Sequence, residues 1–153
     1  MKPKRSTALI LLVLLTACGA SAPQIPVVHL TSLNVAYQVF PSETMQVVRD
    51  QQSWQTLWAQ MTANQIPAPQ LPAVDFTKDM VLVAAAGTRP TTGYSISITD
   101  ATESYAGVTV NVTITSPGSN CAVGNLVTSP VDVATIERQD GAVRFVVTRT
   151  THC

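Results

Sequence analysis

The chain has 153 residues, nine basic and nine acidic side chains, and only 12% charged residues, about half the usual quarter. That length suits one domain built on one core. Beyond residue 17 the balance is six basic to nine acidic side chains, a weakly acidic surface that excludes an electrostatic grip on nucleic acid.

Lys2, Lys4 and Arg5 precede a short apolar run, Ala8 to Leu15, and then Leu15-Thr16-Ala17-Cys18. The run is shorter than the roughly 20 residues that span a bilayer. It has the build of a secretory signal, with a charged start, an apolar middle and small residues at its end. The end resembles a bacterial lipobox. The resemblance implies cleavage after residue 17, a diacylglyceryl group on the Cys18 sulfur and an acyl chain such as palmitate on the new N-terminus. Several acyl chains hold a membrane stably where one holds it only marginally. The expectation is a signal peptide over 1–17, a lipidated tether over 18–26 and one β-rich domain over 27–153. The domain would sit outside the cytoplasm, at the outer membrane if the cell has one, because Gly19 rather than aspartate follows the cysteine.

The tether, Gly19 to Pro26, is small, polar and punctuated by proline. Val35, Tyr37 and Val39 then alternate with Ala36 and Gln38, which predicts a half-buried strand. Met45 to Arg49 is a second short candidate. Trp54, Leu57, Trp58 and Met61 fall at helical spacing behind Ser53, a candidate N-cap, and predict one short helix over about 53–63. Its apolar stripe reads as the face that docks on a sheet. Pro67, Pro69 and Pro72 form an extended connector.

Met80 to Ala86 is a continuous apolar run, as in a strand buried on both faces. Tyr94, Ile96 and Ile98 alternate with polar residues, as do Val108, Val110, Val112 and Ile114. Val131 to Ile136 and Val143 to Thr148 follow, and Asp140-Gly141 between them predicts a hairpin. Short strands with frequent turns predict a mainly β fold, an antiparallel sandwich or barrel with one packed helix.

With Cys18 assigned to lipid, Cys121 and Cys153 are an even pair in an oxidising compartment and are predicted to bond. Closing a loop of about 33 residues stabilises by roughly 3–4 kcal/mol on the chain-entropy model. The competing reading, a soft-metal site with His152, lacks a full ligand set and any Cys-x-x-Cys spacing. No metal or cofactor is expected.

Gly87-Thr88-Arg89-Pro90-Thr91-Thr92-Gly93-Tyr94 is a stiff, shaped loop after the most apolar strand. Stiffness lowers the ordering cost of binding. Arg89, Pro90, Thr91, Thr92, Gly93 and Tyr94 are therefore a candidate partner-binding loop, although a tight connection needs the same residues.

The Gly-x-x-Pro-x-x-Gly-Tyr turn, the two alternating strands, Ser116-Pro117-Gly118, Cys121 and Thr128-Ser129-Pro130 before a Val-rich strand together resemble the C-terminal domain of PrcB-type protease-complex subunits. The Trp54-Gln55-Thr56-Leu57-Trp58 segment and Val74-Asp75-Phe76 extend the resemblance to about residues 46–148. It implies a binding or assembly role beside another envelope or secreted protein, a protease among the candidates. Pro90-Thr91-Thr92-Gly93-Tyr94 is also similar to the first inhibitory loop of chagasin-like cysteine-protease inhibitors. A passive envelope protein, or one holding a small molecule between its sheets, is the remaining class.

The expectation is a protein that is not an enzyme. Acid–base chemistry at neutral pH recruits histidine or paired carboxylates, and the two histidines, His29 and His152, lie near opposite ends of the mature chain. Gly93-Tyr94-Ser95-Ile96-Ser97 lacks the last glycine of a nucleophile elbow. No phosphate-cradling glycine loop and no His-Glu-x-x-His occurs. The acids Asp75, Asp79, Asp100, Glu103, Asp132, Glu137 and Asp140 mostly flank strands, where solvated charge is normal.

Overall fold

The computed structural model describes residues 22–35 and 38–153. The signal segment, Cys18 and Tyr37 lie outside the described residues. Eight strands and one helix follow in the order β1 (Gln24–Ile25), β2 (Val28–Asn34), β3 (Thr44–Val48), α1 (Gln51–Thr62), β4 (Asp79–Ala85), β5 (Ser95–Ser104), β6 (Gly107–Pro117), β7 (Pro130–Glu137) and β8 (Val143–His152). They build two four-stranded sheets, β1-β5-β6-β8 and β2-β7-β4-β3, with no closed barrel.

The alternating patterns explain the layers. On β4, Met80, Leu82 and Ala84 face the other sheet and meet Ile96, Ile98, Val108, Val110, Val112 and Ile114 in the main core. Val81, Val83 and Ala85 point the opposite way, into a second core roofed by α1. The continuous apolar run is therefore a strand with a core on each side. Burying such side chains is worth about 1.5–3 kcal/mol each for the larger ones.

The tryptophan stripe is the roof. Trp54, Trp58 and Met61 are buried, and the two rings meet at 5.3 Å. Each indole N–H donates to a proline-connector carbonyl, Trp54 Nε1 to Pro72 O and Trp58 Nε1 to Pro69 O, both at 3.1 Å. These bonds fasten the proline connector along the helix and satisfy the only polar atom of each ring.

Four expectations change. The helix starts earlier than Ser53, because Asp50 is the N-cap: its extended backbone turns the chain in, and its carboxylate accepts from Ser53 N and Ser53 Oγ, each at 2.8 Å. These bonds hold the Asp50 carboxyl below the usual carboxylate range. The strand predicted through Val35 and Val39 ends at Asn34, and Gln38 and Val39 sit in a turn while Val35 and Phe40 enter the second core.

Asp140-Gly141 does not close a hairpin. β7 already has β2 on one side and β4 on the other, so β8 crosses to the other sheet and takes the free side of β6. That pairing is parallel, which makes this sheet mixed rather than wholly antiparallel. The crossover is held by Arg138, whose Nη1 donates to Arg49 O and Phe76 O at 2.9 Å each.

Cys121 and Cys153 form a disulfide with 5.4 Å between their Cα atoms. It fastens the β6–β7 loop to the end of β8.

Candidate partner-binding face at one end of the sandwich

Two loops share one end of the sandwich: 86–94, between β4 and β5, and 118–129, between β6 and β7. The first leaves β4 through Gly87, which has φ +77° and packs so tightly on residues 42 and 43 that a Cβ would lie 2.7 Å from Ser42 C. Only glycine meets both demands.

Beyond that turn the loops zip together. Arg89 N donates to Thr128 O at 2.8 Å and Thr128 N to Arg89 O at 3.0 Å. Thr128 Oγ1 donates to Thr91 O at 2.9 Å. Thr92 N donates to Gly124 O at 3.0 Å, and Gly124 N returns a bond to Thr92 Oγ1 at 2.7 Å. Gly93, at φ +90°, seats against Pro117 and Val123. The disulfide closes the other flank of the second loop. Both loops are therefore cross-braced rather than free.

The candidate side chains fall into two groups. Arg89 folds into its own loop: Nη2 donates to Ala86 O at 2.6 Å, and the guanidinium stands 5.5 Å from the Tyr94 ring, in cation–π range. Its Nε is buried without a hydrogen-bond partner. Thr91 and Thr92 carry the zipper. Pro90 and Gly93 are exposed, and Tyr94 is half-buried. The loop's two largest side chains thus hold each other.

The apolar surface lies on the neighbouring loop. Leu126 is 62% exposed and Val127 54%, and Val123 is also exposed. A cavity of about 280 Å³ opens under Leu126 and Val127, lined also by Asn34, Val35, Met61 and Asn64. A second cleft of about 220 Å³, on the far side of Asn34, is lined by Tyr94, Ser95, Ile96 and Pro130. Sequence reading missed Leu126 and Val127. The available signal was two adjacent large apolar residues outside any alternating pattern, between a bonded cysteine and Pro130.

A second cluster was also missed. Asp132 on β7 is 1% exposed and points between the sheets. Its Oδ2 accepts from Ile98 N at 2.8 Å, beside the irregularity in β5, and its Oδ1 accepts from Ser32 Oγ at 3.2 Å. His29 Nδ1 lies 3.2 Å from Oδ2 and 3.3 Å from Oδ1. Serine, histidine and aspartate therefore meet, but Ser32 and His29 both address the carboxylate. A nucleophile relay needs the hydroxyl on the imidazole instead. The arrangement cross-links β2, β7 and β5, which belong to both sheets.

Residues 80–137, from β4 through β7, match the family model described as PrcB C-terminal. No curated protein and no solved structure matches the chain. The matched stretch contains both zipped loops and both faces of β4; α1 and β8 lie outside it. Over this core segment, β4 through β7, the chain is similar to the PrcB C-terminal family.

Proposed function

We propose that this protein is a non-catalytic, lipid-anchored accessory subunit that docks on another envelope protein, a protease or a protease-complex component. The family match supports the class of subunit, and the Leu15–Cys18 motif supports the anchor. The observation that carries the docking role is the exposure of Leu126 and Val127 on a loop braced by five hydrogen bonds and a disulfide. An apolar patch held rigid against water favours a partner surface, and the bracing removes the ordering cost of binding.

Inhibition of papain-like proteases would use Pro90–Tyr94, where Pro90 and Gly93 are exposed but Thr91, Thr92 and Tyr94 are half-buried, whereas Leu126 and Val127 present the larger apolar surface. The docking reading therefore places the contact on Leu126 and Val127, with Tyr94 at the margin.

The test is recovery of co-purifying proteins from detergent-solubilised envelope. Leu126→Asp with Val127→Asp is expected to lose the partner that the unmodified protein retains. Arg89→Ala with Tyr94→Ala is expected to weaken recovery less, because those side chains brace the loop from behind. Full recovery with the double aspartate variant would reject this face.

A further inference from the structure

We propose that β3 is a dimerisation edge: two copies of this chain pair their β3 strands antiparallel about a twofold axis at Gln46, joining their β2-β7-β4-β3 sheets into one.

Folded proteins protect exposed sheet edges with short strands, irregularities or charge, because an open edge is a template for another strand. The two sheets have four outer strands. β1 is only two residues long. β2 carries a register shift between His29 and Thr31. β8 carries Arg144 and Arg149. β3 has none of these devices: Thr44-Met45-Gln46-Val47-Val48 pairs β4 in unbroken register and contains no charge and no proline.

Apart from Arg49 and Asp50, the surface beside it is also uncharged. A groove of about 570 Å³ runs between β3 and α1, lined by Gln46, Val47, Gln52, Ser53, Thr56 and Gln60 among others. Neighbouring residues of a strand point to opposite faces, so a groove that both Gln46 and Val47 line follows the strand's open edge. No charged residue occurs anywhere in α1. Arg49 and Asp50 close one end of the groove and are already engaged, Arg49 with Gln139 O and Gly141 O, and Asp50 with Ser53. Depletion of charge is the compositional mark of an interface centre.

The occupant is a second copy because the edge complements itself. In antiparallel pairing centred on Gln46, Met45 faces Val47 of the other copy, extending the row these residues form against the main core. On the helix side Thr44 faces Val48, and the two Gln46 amides face each other, where each can donate to and accept from the other. No like charges meet. A self-complementary patch of this kind closes as a twofold dimer, the commonest symmetric assembly.

The proposal uses a different surface from the docking loop, so the two can fail separately. The test is disulfide trapping in the full chain, purified in detergent and oxidised, with the unmodified chain as control for any link through Cys18. Directly opposed residues of an antiparallel pair have Cα atoms about 4.5–5.5 Å apart, within disulfide reach. Gln46→Cys is expected to give a covalent dimer, and Gln60→Cys on the helix is not. Light scattering is expected to show two chains per particle, with Gln46→Asp raising the dissociation constant about fivefold or more by opposing two carboxylates. Leu126→Asp is expected to leave the dimer intact. A single chain per particle for the unmodified protein would overturn the proposal. So would a dimer that ignores Gln46→Asp and yields no Gln46→Cys link, which would assign the contact to another face.

Discussion

Replacing Asp132 with alanine tests how the two sheets are locked. The carboxylate is buried and accepts from Ile98 N at 2.8 Å and Ser32 Oγ at 3.2 Å. Alanine leaves the Ile98 N–H without its acceptor at an irregular point of β5, at a cost of about 1–3 kcal/mol. The lost Ser32 bond adds about 1 kcal/mol. The His29 contact adds little, because that side chain is 47% exposed and its pairing is screened by water. Relief from burying a charge offsets part of this, so the expected loss is about 3 kcal/mol. Asparagine keeps an oxygen for the Ile98 N–H and is expected to cost about 1 kcal/mol. Urea denaturation of the oxidised protein measures both, read as a shift in midpoint at constant slope. An alanine variant within about 0.5 kcal/mol of the unmodified protein would refute the lock. So would an asparagine variant as costly as alanine, since the acceptor role would then not be what matters.

Two further predictions concern the braces. Reduction of Cys121–Cys153, or serine at both positions, is expected to lower stability by roughly 3–4 kcal/mol on the chain-entropy model, and a thermal melt with and without reductant measures it. Stability is also expected to fall in acid as Asp50 and Asp75 protonate. The Ser53 bonds lower the folded pKa of Asp50, and the Thr77 bonds, followed by Lys78, lower that of Asp75. A lowered folded pKa contributes stability above the unfolded value of about 3.9 and loses it as pH falls through the folded value. Melts of Asp50→Asn and Asp75→Asn through that range should show a shallower acid slope than the unmodified protein, and an unchanged slope would count against a stabilising role for these two carboxylates.

What could be read in advance was whatever one-dimensional pattern encodes. β4 and β6 announce themselves because burial on two faces gives an unbroken apolar run and burial on one gives strict alternation. The tryptophan stripe and the cysteine pair were legible for similar reasons: spacing and parity decide them. The Asp140-Gly141 turn was misread because turn chemistry is local, whereas the partner of β8 depends on which strand edges remain open after β7 is enclosed. Asp132 looked like a solvated flank because nothing local reveals that Ile98 N, 34 positions away, will need an acceptor. The candidate loop was half legible. Pro90 and the two glycines marked a stiff segment, but which side chains face water depends on the zipper to Thr128 and Gly124.

The chain contains two tryptophans, and both are sealed in the roof helix with their indoles bonded to the proline connector. Ultraviolet emission from this protein is therefore a gauge of one layer. It will redden when the helix lifts from its sheet, and because Met61 of that helix also lines the cavity under Leu126 and Val127, a guest seated there would shift the same glow.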